Sequence, residues 1–381
     1  MRHFLLRRLS LFLSAILCLC PLFGLTVSAS PDGITGVSAQ SAYLYQPDTD
    51  TAVWEQNAHV RMPMASTTKI MTAIVTLENA DPDMTVRIPA EAVGVEGSSI
   101  YLHEGEELTV DQLLSALLME SANDAATALA IAVGGSIDGF AAMMNRKAEE
   151  LGLSDTHFSN PHGLDDPTHY TTAADLAHLT AYCLSNPRFH AIVSTYRTTI
   201  PLCGSQGTRV LINHNRLLKQ YDGAVGVKTG FTKHSGRCLV SAAERDGVQL
   251  IAVTLNAPDD WRDHTAMLDY GFSRFTTVLL TERGQETFVL PAVGGDSDSL
   301  TVRNDEPLLV VLPANHGEIR TQIQLPRFVY APVAAGEKVG EAVYFCNGRQ
   351  IGSVPLYACH TLEAEKKPLT FRERILHFFG H

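Results

Sequence analysis

From residue 63 to residue 77 the chain reads Pro-Met-Ala-Ser-Thr-Thr-Lys-Ile-Met-Thr-Ala-Ile-Val-Thr-Leu. Ile70, Met71, Ile74, Val75 and Leu77 recur at helical intervals, so the stretch demands a helix with one face in a core. Pro63 disfavours helix before it, which places Ser66 at or near the helix start. Ser66 and Lys69 are three apart, on one face and within reach of each other. At a helix start the backbone N–H of Ser66 lacks an intrahelical partner and can face a substrate oxygen. A hydroxyl beside an amine at that end is a candidate activated nucleophile. A single Ser-x-x-Lys also describes a capped helix with a solvated lysine, so the pair needs support from elsewhere in the chain.

Residues 1–29 stand apart. Arg2, Arg7 and Arg8 precede a mostly apolar run over 9–25, and Val27-Ser28-Ala29 closes it with small residues. This is the pattern of a cleaved signal peptide, with an uncleaved signal anchor as the alternative. Neither Cys18 nor Cys20 follows a small residue, so no lipoprotein site is read there. Without the leader the chain keeps 26 basic and 41 acidic residues, a formal charge of −15. Such a balance excludes nucleic acid as a partner. Five cysteines remain, Cys183, Cys203, Cys238, Cys346 and Cys359, odd in number and without paired metal spacing. They read as buried small residues, with one disulfide left open.

Taken in order, residues 42–45 and 52–54 alternate around the turn Pro47-Asp48-Thr49-Asp50, a β-hairpin leading into the Ser66 helix. Residues 86–89 and 99–102 are expected as short strands. Thr109-Val110-Asp111-Gln112 is a capping box opening a helix with Leu113, Leu114, Leu117 and Leu118 on its apolar side. Ser121-Ala122-Asn123 falls on a turn before the next buried helix, which Gly134-Gly135 stops; Ser136 caps another. His157, His162 and His169 lie in one loop-like stretch with Asp165 and Asp166. Zinc ligation and plain loop packing are both open, but no pair has helical i, i+4 spacing and no cysteine joins them. Thr172 caps a further helix. A strand over 225–232 carries Lys228-Thr229-Gly230, a hairpin turns at Arg245-Asp246-Gly247, and a helix is expected over about 262–275. Hairpin, helical insertion, three antiparallel strands and a helix make an α+β domain with helices on an antiparallel sheet. Strand-like runs at 287–290, 300–302, 308–312, 319–325, 338–345 and 349–357 form a separate all-β domain. From residue 361 a basic and aromatic tail could lie on a membrane as an amphipathic helix or simply fray.

Ser66-x-x-Lys69, Ser121-Ala122-Asn123 and Lys228-Thr229-Gly230 occur in the order and rough spacing of the penicillin-recognising serine enzymes. With Ala65-Ser66-Thr67-Thr68-Lys69-Ile70-Met71-Thr72-Ala73, Phe158-Ser159-Asn160-Pro161-His162-Gly163-Leu164 and Val227-Lys228-Thr229-Gly230-Phe231-Thr232 added, the chain resembles a low-molecular-mass penicillin-binding protein, a serine-type D-alanyl-D-alanine carboxypeptidase. The likeness spans a leader (1–29), a catalytic domain (30–276), a β domain (277–360) and a tail (361–381). It implies a β-lactamase/transpeptidase-like fold and removal of the terminal D-alanine from cell-wall stem peptides. It also implies acylation by β-lactam antibiotics, no cofactor and no metal, and a place on the outer face of the cytoplasmic membrane.

The residues suit those roles. Ser66 would attack the penultimate carbonyl and Lys69 would take its proton, which requires an amine neutralised by burial and by a second cation, Lys228. Ser121 could pass a proton to the leaving amine and Asn123 could hold the substrate amide. Lys228 and Thr229 suit the terminal carboxylate, Gly230 lets a peptide lie along its strand, and the N–H groups of Ser66 and Phe231 would form an oxyanion hole. Arg237 is a further carboxylate candidate, with structural pairing equally open. A β-lactamase and a non-catalytic wall-binding protein are the rivals. Against the first stand Ser-Ala-Asn in place of Ser-Asp-Asn and the lack of a recognisable deacylating Glu loop.

Overall fold

The computed structural model describes residues 33–202 and 207–365. The leader at 1–29, Cys203 and the tail segment 366–381 lie outside the described residues. At the centre is a five-stranded antiparallel sheet in the order Thr51–Gln56, Ser41–Gln46, Val248–Leu255, Gly236–Arg245, Ala224–Thr232. Its last strand carries Lys228-Thr229-Gly230 and forms an edge.

Both faces of this sheet are covered, and the alternation of one strand shows it. The Tyr43 and Tyr45 rings pack on His178 of helix Ala173–Leu184. Leu44, between them, points to the other face and meets helix Asp260–Phe272 at Gly271, where a Cβ would lie 3.2 Å from Leu44 and 2.5 Å from Leu250. Every residue of Ser41–Gln46 is consequently buried, as expected for a strand between two layers.

The helical insertion supplies the rest of the core. The Thr109–Gln112 capping box forms as expected and opens helix Val110–Met119. Helix Asn123–Gly134 follows after a three-residue break, then Ile137–Glu150 behind its Ser136 cap. Helix Lys69–Asn79 lies among them, with Ile70, Met71, Ile74 and Val75 buried. Among the described residues no single helix is long and apolar enough to cross a membrane.

Three expectations are corrected. Residues 99–102 are not a strand: the N–H groups of Ile100 and Leu102 bond the Asp124 carboxylate at 3.3 and 3.0 Å, and Tyr101 has φ +58°. Strand Thr85–Arg87 pairs instead with Glu107–Thr109. The helix expected to reach Phe275 ends at Phe272, and Phe275 opens strand Phe275–Thr281. The β unit also runs past residue 360, because Leu362 is buried and bridges Val333 while Ala364 bridges Gly295.

That β unit has a six-stranded sheet, in the order Ile319–Gln324, Lys338–Cys346, Arg349–Ala358, Ser299–Arg303, Thr287–Val293, Val329–Tyr330. A two-stranded ribbon pairs Phe275–Thr281 with Leu308–Pro313. The fold is therefore mixed helix and sheet followed by all β. Cys183, Cys238, Cys346 and Cys359 are all free thiols.

Candidate active site

Ser66 sits in a 3-10 turn, Ala65–Thr68, that runs directly into helix Lys69–Asn79. Ala65, just before it, is left-handed at φ +47°, a conformation that costs an alanine about 1–2 kcal/mol and persists only where neighbours enforce it. Two glycines pack closely against this turn. Gly230, on the edge strand, lies so close that a Cβ there would be 3.1 Å from the Ser66 nitrogen and 3.2 Å from Met64 O. Gly163 lies closer still: its Cβ would fall 1.9 Å from Ala65 O and 2.8 Å from Thr68 Oγ1. Gly163 is required for this close approach of backbone to backbone, and a side chain at Gly230 would be tight.

Lys69 Nζ is buried and has three partners, Ser66 Oγ at 2.9 Å, Asn123 Oδ1 at 2.7 Å and His162 O at 2.6 Å. The two carbonyl oxygens can only accept, so they take two N–H bonds. In the neutral amine these are all the protons available, and the lone pair is left facing the Ser66 hydroxyl. Burial pushes the Lys69 pKa well below the ordinary lysine value, the charge of Lys228 lowers it further, and Asp124 opposes. Lys228 is also buried; it donates to Thr229 O at 2.8 Å, and burial brings it to about 7.

The Ser-Ala-Asn triplet occupies the break between two buried helices. Ser121 has φ +60° and its hydroxyl has no hydrogen-bond partner among the described residues. Asn123 is turned inward: Oδ1 takes the Lys69 bond and Nδ2 donates to Glu96 O at 2.5 Å. Its main contacts are with the base and with the 96–102 loop. Asp124, which sequence reasoning passed over, binds that loop through Ser99 Oγ at 2.6 Å and the two amides above.

The stretch 158–169 proves to be a collar around the nucleophile. Besides His162 O on Lys69, Pro161 O accepts from Thr72 Oγ1 at 2.6 Å, and Thr232 Oγ1 on the edge strand donates to Asp165 at 2.8 Å. Two of the histidines serve this packing: His157 Nδ1 meets Thr168 O at 2.6 Å, and His162 Nδ1 accepts from Leu164 N at 3.3 Å. Among the described residues no three His, Cys, Asp or Glu side chains converge as a metal site.

Ser66, Ser121, Thr229, Gly230 and Phe231 open on one cleft of about 320 Å³, which Ser98, His214, Arg216, Arg237, Asp260 and Trp261 also line. Arg237 has the structural pairing left open above, with Asp260 at 2.8 Å. Its guanidinium and that of Arg216 also flank the Trp261 ring, at 6.0 and 5.9 Å. Arg216, His214 and Trp261 carry no motif signal; only the fold brings them to the cleft.

The family model described as D-alanyl-D-alanine carboxypeptidase, peptidase S11, matches residues 26–259. The one described as penicillin-binding protein 5, C-terminal domain, matches 275–364. The chain is 32% identical over 330 residues to the D-alanyl-D-alanine carboxypeptidase DacF of Bacillus subtilis, covering 84% of this chain and 85% of that one. It is 32% identical over 363 residues to DacD of Escherichia coli, covering 91% of each. Crystal structures of penicillin binding protein 5 from Haemophilus influenzae align with a TM-score of 0.64 at 27% identity, over 87% of this chain and 100% of that one.

Proposed function

The chain belongs to the S11 family of D-alanyl-D-alanine carboxypeptidases, which are serine hydrolases, and on that premise we propose that it trims the terminal D-alanine from peptidoglycan stem pentapeptides through an acyl-enzyme on Ser66. Ser66 Oγ attacks the carbonyl of the penultimate D-alanine while Lys69 takes the hydroxyl proton. The carbonyl electron pair moves onto oxygen, facing the N–H groups of Ser66 and Phe231. Collapse breaks the peptide bond, and the departing amine of D-alanine receives its proton by way of Ser121. Water then attacks the ester, Lys69 takes a proton from it and returns that proton to Ser66 Oγ as the acyl–oxygen bond breaks, and the shortened peptide leaves with the serine hydroxyl restored. Lys228 and Thr229 hold the terminal carboxylate, and the stem peptide lies along the edge strand past Gly230. A β-lactam opens its ring on the same oxygen.

The observation that carries this reading is the coordination of Lys69, a buried amine with two carbonyl acceptors and Ser66 Oγ at 2.9 Å. Against a β-lactamase speaks the cleft lining, which among the described residues holds no glutamate; the carboxylate there, Asp260, is tied to Arg237. Against a non-catalytic wall-binding protein speaks a nucleophile and base already in bonding contact. Incubation of the mature protein with a synthetic stem pentapeptide should yield tetrapeptide plus one D-alanine by mass spectrometry, and Ser66→Ala should yield none. Turnover of penicillin faster than of pentapeptide would favour the β-lactamase.

The leader at 1–29 and the wall substrate support an extracytoplasmic location. The basic and aromatic tail supports weak attachment to the outer face of the cytoplasmic membrane.

A further inference from the structure

The turn carrying Ser66 is held from behind by a chain of hydrogen bonds whose directions are fixed by chemistry. The backbone N–H of Ser159 can only donate, and it reaches His169 Nδ1 at 3.0 Å, so Nδ1 is the acceptor. The ring proton then sits on Nε2 and is donated to Thr68 Oγ1 at 2.7 Å. The Thr68 hydroxyl keeps its own proton to give, and Ala65 O accepts it at 2.7 Å. Thr68 and His169 are 0% and 4% exposed, so water does not substitute for these bonds. Burial also pushes the His169 imidazole down to about 4, which keeps the ring neutral and this tautomer in place at neutral pH.

We propose that His169 is a positioning residue for acylation, acting through Thr68 on the Ala65–Ser66 peptide group. That group is planar, so fixing Ala65 O also fixes where the Ser66 N–H points. The Ser66 N–H is the oxyanion donor in the mechanism above, and the inference rests on that reading of Ser66. The left-handed φ of Ala65 means the turn does not hold this orientation by itself. The Gly163 backbone passes so close to Ala65 O that no side chain fits between them, so the carbonyl sits between one hydrogen bond and a close backbone neighbour. Donors of this kind help only when they are preorganised.

The competing role for His169 is packing, since its ring stands edge-on to Phe158 at 5.8 Å. Two variants separate the roles. His169→Phe keeps a ring and loses both hydrogen bonds; His169→Gln keeps one donor and one acceptor without the ring. Thr68→Val and Thr68→Ser repeat the contrast at the next link and carry the test if His169→Phe fails to fold. Acylation by a fluorescent penicillin is resolved into a non-covalent binding constant and an acylation rate constant. The wild-type adduct is first mapped by mass spectrometry. Absence of an adduct on Ser66 would defeat the mechanism itself and not this refinement of it.

His169→Phe should slow the acylation step by about tenfold or more while leaving the binding constant within about twofold. His169→Gln should stay within about threefold of wild type, Thr68→Val should match His169→Phe, and the two losses should not add, as expected of links in one chain. A His169→Phe or Thr68→Val variant that acylates at the wild-type rate would overturn the proposal. So would a His169→Gln variant as slow as His169→Phe, or additive losses in the double variant.

Discussion

Lys69 Nζ donates to Asn123 Oδ1 at 2.7 Å, at a depth where both side chains are sealed from solvent. The amide therefore contributes to the environment of the base as well as to the wall of the cleft. Asn123→Asp keeps the shape and the acceptor but puts a negative charge beside the amine. An opposite charge at this range raises an amine pKa by about 1–3 units. Acylation needs the neutral amine, so the acidic limb of the pH–rate profile should move to higher pH by that amount. A variant with an unmoved limb and only a raised KM would assign Asn123 to substrate alone.

Gly163→Ala should be severe at a distance from any substrate contact. Its Cβ would lie 1.9 Å from Ala65 O, and its φ of +88° already disfavours an L side chain. The turn carrying Ser66 must shift, and a misplacement of about 1 Å can cost on the order of a hundredfold in rate. Stopped-flow acylation should show a loss of that order, with a lowered melting temperature in circular dichroism. Acylation within about threefold of wild type would mean that the collar does not position the nucleophile.

The parts legible in the sequence were those with a local chemical signature. Ser66 with Lys69, Ser121 with Asn123, and Lys228-Thr229-Gly230 stand out by residue type and spacing, and the structure places them close together. The caps at Thr109, Ser136 and Thr172 were found because capping is written within three residues. What escaped depends on contacts between distant segments. Residues 99–102 look like a strand until Asp124 takes their amides. Helix Pro187–Ser194 was missed because eight residues give a weak period. The role of the 158–169 stretch lies in backbone carbonyls, such as His162 O on Lys69 and Pro161 O on Thr72, which no side-chain pattern reveals. The inward turn of Asn123 follows from where the fold places Lys69.

Lys228 should make carboxylate recognition depend on pH. Its folded pKa, about 7, lies below the ordinary lysine value because of burial. The unliganded fold therefore gains stability as pH rises from about 7 toward the ordinary lysine range, where only the unfolded chain still holds the proton. Binding a terminal carboxylate needs the protonated amine, so KM for a free-acid peptide should rise above about pH 7. A C-terminal amide should show no such limb, and Lys228→Ala should narrow the gap between acid and amide. One charge-assisted bond is worth roughly 1.5–3 kcal/mol. Equal turnover of acid and amide by the wild type would contradict the assignment.

The tail segment 366–381 lies outside the described residues, and its prediction rests on sequence. Lys366, Lys367, Arg372 and Arg374 accompany Phe371, Ile375, Leu376, Phe378 and Phe379. The chain between the leader segment and this tail is acidic, so attraction to anionic lipid must come from these basic groups. The mature protein should sediment with anionic vesicles at low salt and be released at high salt. Deleting 366–381 should abolish sedimentation and leave hydrolysis of a soluble tripeptide unchanged. Equal partitioning of both forms would leave the tail without a role in membrane attachment.

The central claim is that the neutral amine of Lys69 activates Ser66 as the acylated nucleophile. Its most direct test is peptide mapping by mass spectrometry of the mature protein after brief exposure to penicillin. A single penicilloyl adduct on Ser66, absent from Ser66→Ala and at least about a hundredfold slower to form in Lys69→Arg, is the predicted result. An adduct on any other residue, or Lys69→Arg acylating within about tenfold of wild type, would contradict it.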